Sequence, residues 1–174
     1  MNTLTPGRHV HAPPAAPSTV AARTYTLPGR PAGRVLAVLT GARADQDVAR
    51  HAGQLAARTG QKITAAVAFR STGFSINALL HLARQRRLHR QADAVLATHS
   101  DALTAAGHYE SAVVVLSART NPYHRLPART LARLAARTGA ATVITSVPVH
   151  PPGPHLTPST ATATRTADPP VPRR

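Results

Sequence analysis

Apolar residues fall into two patterns along this chain, and the patterns alternate. Val35 to Leu39 is an unbroken aliphatic run of strand length that stops at Thr40-Gly41. A strand buried on both faces shows no apolar/polar alternation, so this run reads as the central strand of a parallel sheet. Asp45 then opens a helical pattern as its cap, with Val48, Ala49, Ala52, Leu55 and Ala56 at helical spacing and Gly60 as the left-handed terminator. A second strand is predicted over 62–69 (KITAAVAF). A long helical stretch over 75–106 places Ile76, Leu79, Leu80 and Ala83 on one face, then Leu88, Ala92, Val95, Leu96 and Leu103. The change of phase at 84–87 predicts two helices or a kink there, and Gly107 ends the stretch. A third strand is expected over 111–117, and a third helix opens near Pro127 with Leu131, Leu134 and Ala135 inward. The fourth strand is expected over 141–147. The run Leu55-Ala56-Ala57-Arg58-Thr59-Gly60 recurs letter for letter as Leu134-Ala135-Ala136-Arg137-Thr138-Gly139, each time leading into a strand. The resulting β-α-β-α-β-α-β order predicts an α/β fold, an open doubly wound parallel sheet of about four strands with helices on both faces.

Proline marks where the pattern stops. Of the 16 prolines, six precede Arg34 and eight follow Val147. The expected organisation is therefore a Pro-rich disordered arm over 1–33, an α/β domain over 34–147 and a Pro/Thr-rich disordered tail over 148–174. One short alternation in the arm, Thr24-Tyr25-Thr26-Leu27, is β-prone enough to pair at a sheet edge. With no cysteine, disulfides, thiolate catalysis and zinc–thiolate sites are excluded. No apolar run approaches the ~20 residues of a membrane span, and 1–33 lacks the apolar core of a signal peptide. A cytoplasmic protein with no membrane partner is the expectation.

A net charge of +15 attracts polyanions whatever the fold. The local concentration of that charge is 84–90, where Arg84, Arg86, Arg87 and Arg90 stand together and no acid occurs between Asp47 and Asp93. Phosphate or acidic-protein binding is the functional reading of these four arginines, a solvated Arg-rich helix the bland one. Tyr25, Tyr109 and Tyr123 are too dispersed for a base-stacking platform. Catalytic and metal chemistry is not patterned. Asp45 and Asp47 read as helix-start acids rather than a general acid–base pair, no G-x-S-x-G elbow occurs, and His51, His81, His89, His99 and His108 form no i, i+4 pair with a third ligand.

The segments RVLAVLTGARADQDVARHAGQLAARTGQKITAAVAF and TAAGHYESAVVVL…LPARTLARLAARTGAATVITSV, in this order and spacing, resemble the universal stress protein family over 34–147. The resemblance implies an adenine-nucleotide-hydrolase-like sheet of order 3-2-1-4, with strand 34–40 central, flanked by 62–69 and 141–147, and 111–117 outermost. ATP-binding members carry an Asp at the end of the first strand in a D-G-S-like loop, and G-x-x-G-x9-G-[ST] after the fourth. Here Thr40, Gly41, Ala42 and Arg43 stand as a vestigial nucleotide loop, and Ser146-Val147-Pro148-Val149-His150-Pro151-Pro152-Gly153 replaces the glycine motif with prolines that lack N–H donors. The resemblance thus implies a degenerate member truncated after its fourth strand: a non-catalytic regulatory or interaction domain in the stress response, without ATP or another cofactor. The missing fifth strand leaves the edge of strand 141–147 bare, to be covered either by Thr24 to Leu27 folding back or, the favoured expectation, by the same strand of a second chain in a homodimer. The alternatives are a basic nucleic-acid-binding protein acting through 84–90, and an ATP-binding stress protein with a changed loop.

Overall fold

The computed structural model describes residues 22–30, 32–71, 78–117, 120–150 and 156–159. Its elements are β1 (Arg23–Thr26), β2 (Arg34–Leu39), α1 (Asp45–Thr59), β3 (Ile63–Arg70), α2 (Ala78–Thr98), α3 (Ser100–Thr104), β4 (Tyr109–Leu116), β5 (Leu126–Pro127), α4 (Ala128–Thr138), β6 (Ala140–Thr145), β7 (Val149–His150) and β8 (Thr157–Pro158). The main sheet has the order β4-β3-β2-β6-β1-β8, and β5 and β7 form a small second sheet.

The four parallel strands stand in the expected order, with β2 between β3 and β6 and β4 beyond β3. Right-handed crossovers explain the layers. The chain steps from β2 through β3 to β4 in one direction, then returns past β2 to β6, so the last crossover helix lies on the opposite face. The core divides accordingly. Val35, Ala37, Leu39 and Ile144 pack with α1, the second half of α2 and α3. Leu36, Val38 and Val143 pack with Leu131 and Ala135 of α4, and with Tyr25 and Leu156. The duplicated helix ends are built alike: Gly60 and Gly139 adopt left-handed conformations at φ 67° and 68°, and the preceding threonine hydroxyls donate to the carbonyls of Leu55 and Leu134.

Three expectations are corrected. The bare edge of β6 does not exist, because β1 pairs with it antiparallel, Tyr25 opposite Val143, and β8 pairs with β1. The bare edge on which a homodimer was expected is thus covered within the chain, and Ile144 of β6 is fully buried with residues of α1. The domain also extends past both expected boundaries. Tyr25 is buried with Val147, Val149 and Leu156, and the Val149 N–H donates to the Tyr25 hydroxyl at 3.2 Å, so the burial of one aromatic ties 22–30 to 147–150 and to Leu156. The expected disorder of 1–21, 151–155 and 160–174 lies outside the described residues. Lastly, the helix is unbroken through 84–87. The break falls at His99 (φ −117°), after which α3 lies across α1 so closely that a Cβ on Gly53 would sit 2.2 Å from the Ala102 carbonyl oxygen.

Candidate functional site

In an open α/β sheet the ligand crevice forms at the carboxyl ends of the strands, where the strand order reverses. Here the reversal lies at β2, and the 40–44 loop follows it. Asp45, the first residue of α1, is fully buried and turns its carboxylate back into that loop. Its Oδ2 accepts the backbone N–H groups of Thr40 at 2.7 Å, Gly41 at 2.6 Å and Ala42 at 3.2 Å, while Oδ1 accepts the Thr40 hydroxyl at 3.3 Å. Three convergent amides form an anion nest, and the protein's own carboxylate fills it. The helix itself starts without a side-chain cap, so Asp45 is a loop anchor rather than the helix cap that the sequence suggests. Burial raises its pKa, opposed by the hydrogen bonds from Thr40 and Gly41 and by the charge of His99. A raised folded-state pKa means that this group's contribution to stability is fullest below its unfolded value and falls as pH rises through the folded one.

Of the vestigial loop residues, Gly41, Ala42 and Arg43 line an open cleft of about 430 Å³, completed by Gln46 and by Val95, Thr98 and His99 from the end of α2. Thr40 is buried beneath it and occupied by Asp45. Among the described residues after β6, the backbone groups are engaged within the fold. The Val147 N–H is taken by the Thr145 hydroxyl, Val149 by Tyr25, and the Pro148 carbonyl by Leu126 as the chain enters β7. The Ser146 hydroxyl is buried without a partner.

The four arginines of 84–90 differ in exposure. Arg84 is half-buried on the inward side, with Leu88, Ala92 and Leu96 following it at helical spacing. Arg86, Arg87 and Arg90 share the outward face, within an arc of about 100°. A second basic face was not singled out by sequence reasoning. Arg129, Arg133 and Arg137 recur every four residues along α4, all exposed, beside a shallow groove of about 430 Å³ lined by Arg129, Ala132, Arg133 and Ala136. The spacing is visible in the sequence, but intervening Leu and Ala dilute the charge, whereas 84–90 is dense. Arg34 pairs with Glu110 and Arg50 with Asp47, away from α4. None of the described helices is long and apolar enough to cross a membrane.

No family model matches the sequence, and comparison with curated proteins finds no significant match. Among solved structures the chain is similar to a protein of the universal stress protein family from Burkholderia pseudomallei, at 18% identity and a TM-score of 0.41, with 62% of this chain and 76% of that one covered. It is also similar to a universal stress protein solved in complex with cAMP, at 21% identity and a TM-score of 0.45, covering 65% and 75%.

Proposed function

We propose that this chain is a universal-stress-protein-like regulatory or interaction domain that carries out no catalysis of its own and takes no ATP at the loop after its central strand. The observation that supports this most strongly is the occupied nest. A nucleotide phosphate entering the 40–44 loop needs the amides of Thr40, Gly41 and Ala42, and all three already donate to Asp45. It would also meet a buried carboxylate, and like charges brought together away from water repel strongly. Among the described residues after β6, the Val147 and Val149 amides are already engaged with Thr145 and Tyr25, and Pro148 has no amide to offer. Self-association belongs to the same reading, and its surface moves to β4, one of the two terminal strands of the sheet, where Val115 is 51% exposed.

Calorimetric titration with ATP and magnesium tests the central claim. The expected outcome is no saturable binding below about 100 µM, an affinity worth roughly 5.5 kcal/mol. Low-micromolar, magnesium-dependent binding overturns the reading, and Gly41, Ala42 and Arg43 of the cleft become the residues to substitute.

A further inference from the structure

We infer that the outward face of α4 is a docking surface for the phosphate backbone of duplex nucleic acid, held by Arg129, Arg133 and Arg137 without reading of base sequence. This goes beyond the regulatory reading and is independent of the nucleotide loop, since α4 packs on the other face of the sheet from α1 and α2.

The three guanidinium groups lie within an arc of about 80° and span about 12 Å along the helix, one cation per turn. α4 is held by Leu131 and Ala135, both fully buried, so the row stands on a fixed element. None of the three has an acidic partner among the described residues. The described acids lie on α1 (Asp45, Asp47), α2 (Asp93) and α3 (Asp101). Glu110 of β4, which alternation turns toward the α4 face, is already paired with Arg34.

The row also contradicts what helix stability alone would select. Like charges at i, i+4 repel, and they do so twice here. Arg129 sits in the first turn, at the positive end of the helix dipole, where acids are favoured and α4 has none. Arg137 in the last turn suits the dipole, but two repulsive pairs and a misplaced Arg129, with no acidic partner among the described residues, mark a surface kept for something other than folding.

The chemistry of the face selects the occupant. Its flanking residues are Ala132 and Ala136, which bring a backbone close but supply no large apolar side chain to enter a bilayer. Nor do they supply the aromatic or aliphatic anchor on which protein interfaces depend. No aromatic lies on the face to stack an unpaired base, which favours duplex over single strand. A linear array of phosphates, bound by counterion release, needs only cations in line. The denser cluster on α2 fits less well. Asp93 follows Arg90 by three residues toward the same outward side, and the exposed Leu80 and Leu82 flank the other end.

Fluorescence anisotropy with a labelled 24-base-pair duplex DNA, across a salt series, tests the assignment on the full chain. Two variants remove equal charge: R129Q/R133Q/R137Q on α4 and R86Q/R87Q/R90Q on α2. The wild type is expected to bind with a salt-dependent affinity, and the α4 variant to have a log K against log salt slope shallower by about 2.7, that is, three contacts at about 0.9 each. The α2 variant should keep the wild-type slope. The melting temperature of the α4 variant should not fall, because removing like charges relieves repulsion; a structural role would lower it. The inference is overturned if the wild type fails to bind at 50 mM salt, if both variants lose slope equally, or if only the α2 variant does. It is overturned equally if polyglutamate or phosphatidylserine vesicles bind the wild type more tightly than the duplex does and lose that binding in the α4 variant.

Discussion

Helices α1 and α4 end in the same six residues and lie flat on the sheet along their whole length, whereas α2, built from the same Ala, Leu and Arg, docks only by its second half. In α4, Ala128, Leu131 and Ala135 recur on one side and all three are buried. In α2 the corresponding stripe runs Arg84, Leu88, Ala92, Leu96, and only its last two members are buried. From 80 to 91 no residue of α2 is buried, and Leu80 remains 60% exposed. An arginine at the inward position interrupts the apolar stripe by one turn, and burying a guanidinium there is costlier than leaving that part of the helix off the sheet. Composition does not decide whether a helix docks. The phase of a few residues does.

The largest effect that can break this contrast comes from removing the same side chain in both helices. Leu131→Ala in α4 should lower stability by about 2–5 kcal/mol, since Leu131 is fully buried. Leu88→Ala in α2 should lower it by less than about 1 kcal/mol, because that side chain is only half-buried. Urea denaturation of the two variants checks the pair, and equal losses would mean that α2 is docked throughout.

An intermediate effect concerns the start of α1, which α4 does not share. Asp45→Asn replaces an oxygen that accepts three amides with a group that is neutral and half donor, and should cost about 1–3 kcal/mol. Amide exchange at Gly41 and Ala42 should quicken in the variant. Unchanged stability and exchange would show that the carboxylate does not brace the loop.

The smallest effect sits midway along α1, where the His51 ring meets the Thr24 hydroxyl at 3.1 Å and ties the helix to β1. Burial lowers the pKa of His51, and Arg58 lowers it further. A depressed folded-state pKa contributes stability above the unfolded value of about 6.5 and loses it as pH falls through the folded one. The difference in melting temperature between wild type and His51→Gln should therefore shrink between pH 7.5 and pH 5.5. A constant difference would show that the His51 proton is not linked to folding.

What the sequence by itself determined was the frame: four strands and the helices between them, which follow from the period of apolar positions and from Gly60 and Gly139, signals that each segment carries within itself, while the strand order came from the resemblance together with right-handed crossovers. The ends of the domain were only partly legible: Thr24-Tyr25-Thr26-Leu27 is β-prone, but it is too short to be a strand without a partner, and its partner, β6, lies over a hundred residues away. The role of Asp45 was hidden for a related reason. A carboxylate at a helix start can serve the helix amides or the loop before it, and only the folded path of the 40–44 loop decides which donors converge on it. The two basic faces show the same limit. Dense charge at 84–90 is conspicuous in one dimension, but the row of Arg129, Arg133 and Arg137 becomes a continuous surface only once α4 is docked by Leu131 and its outward side is fixed.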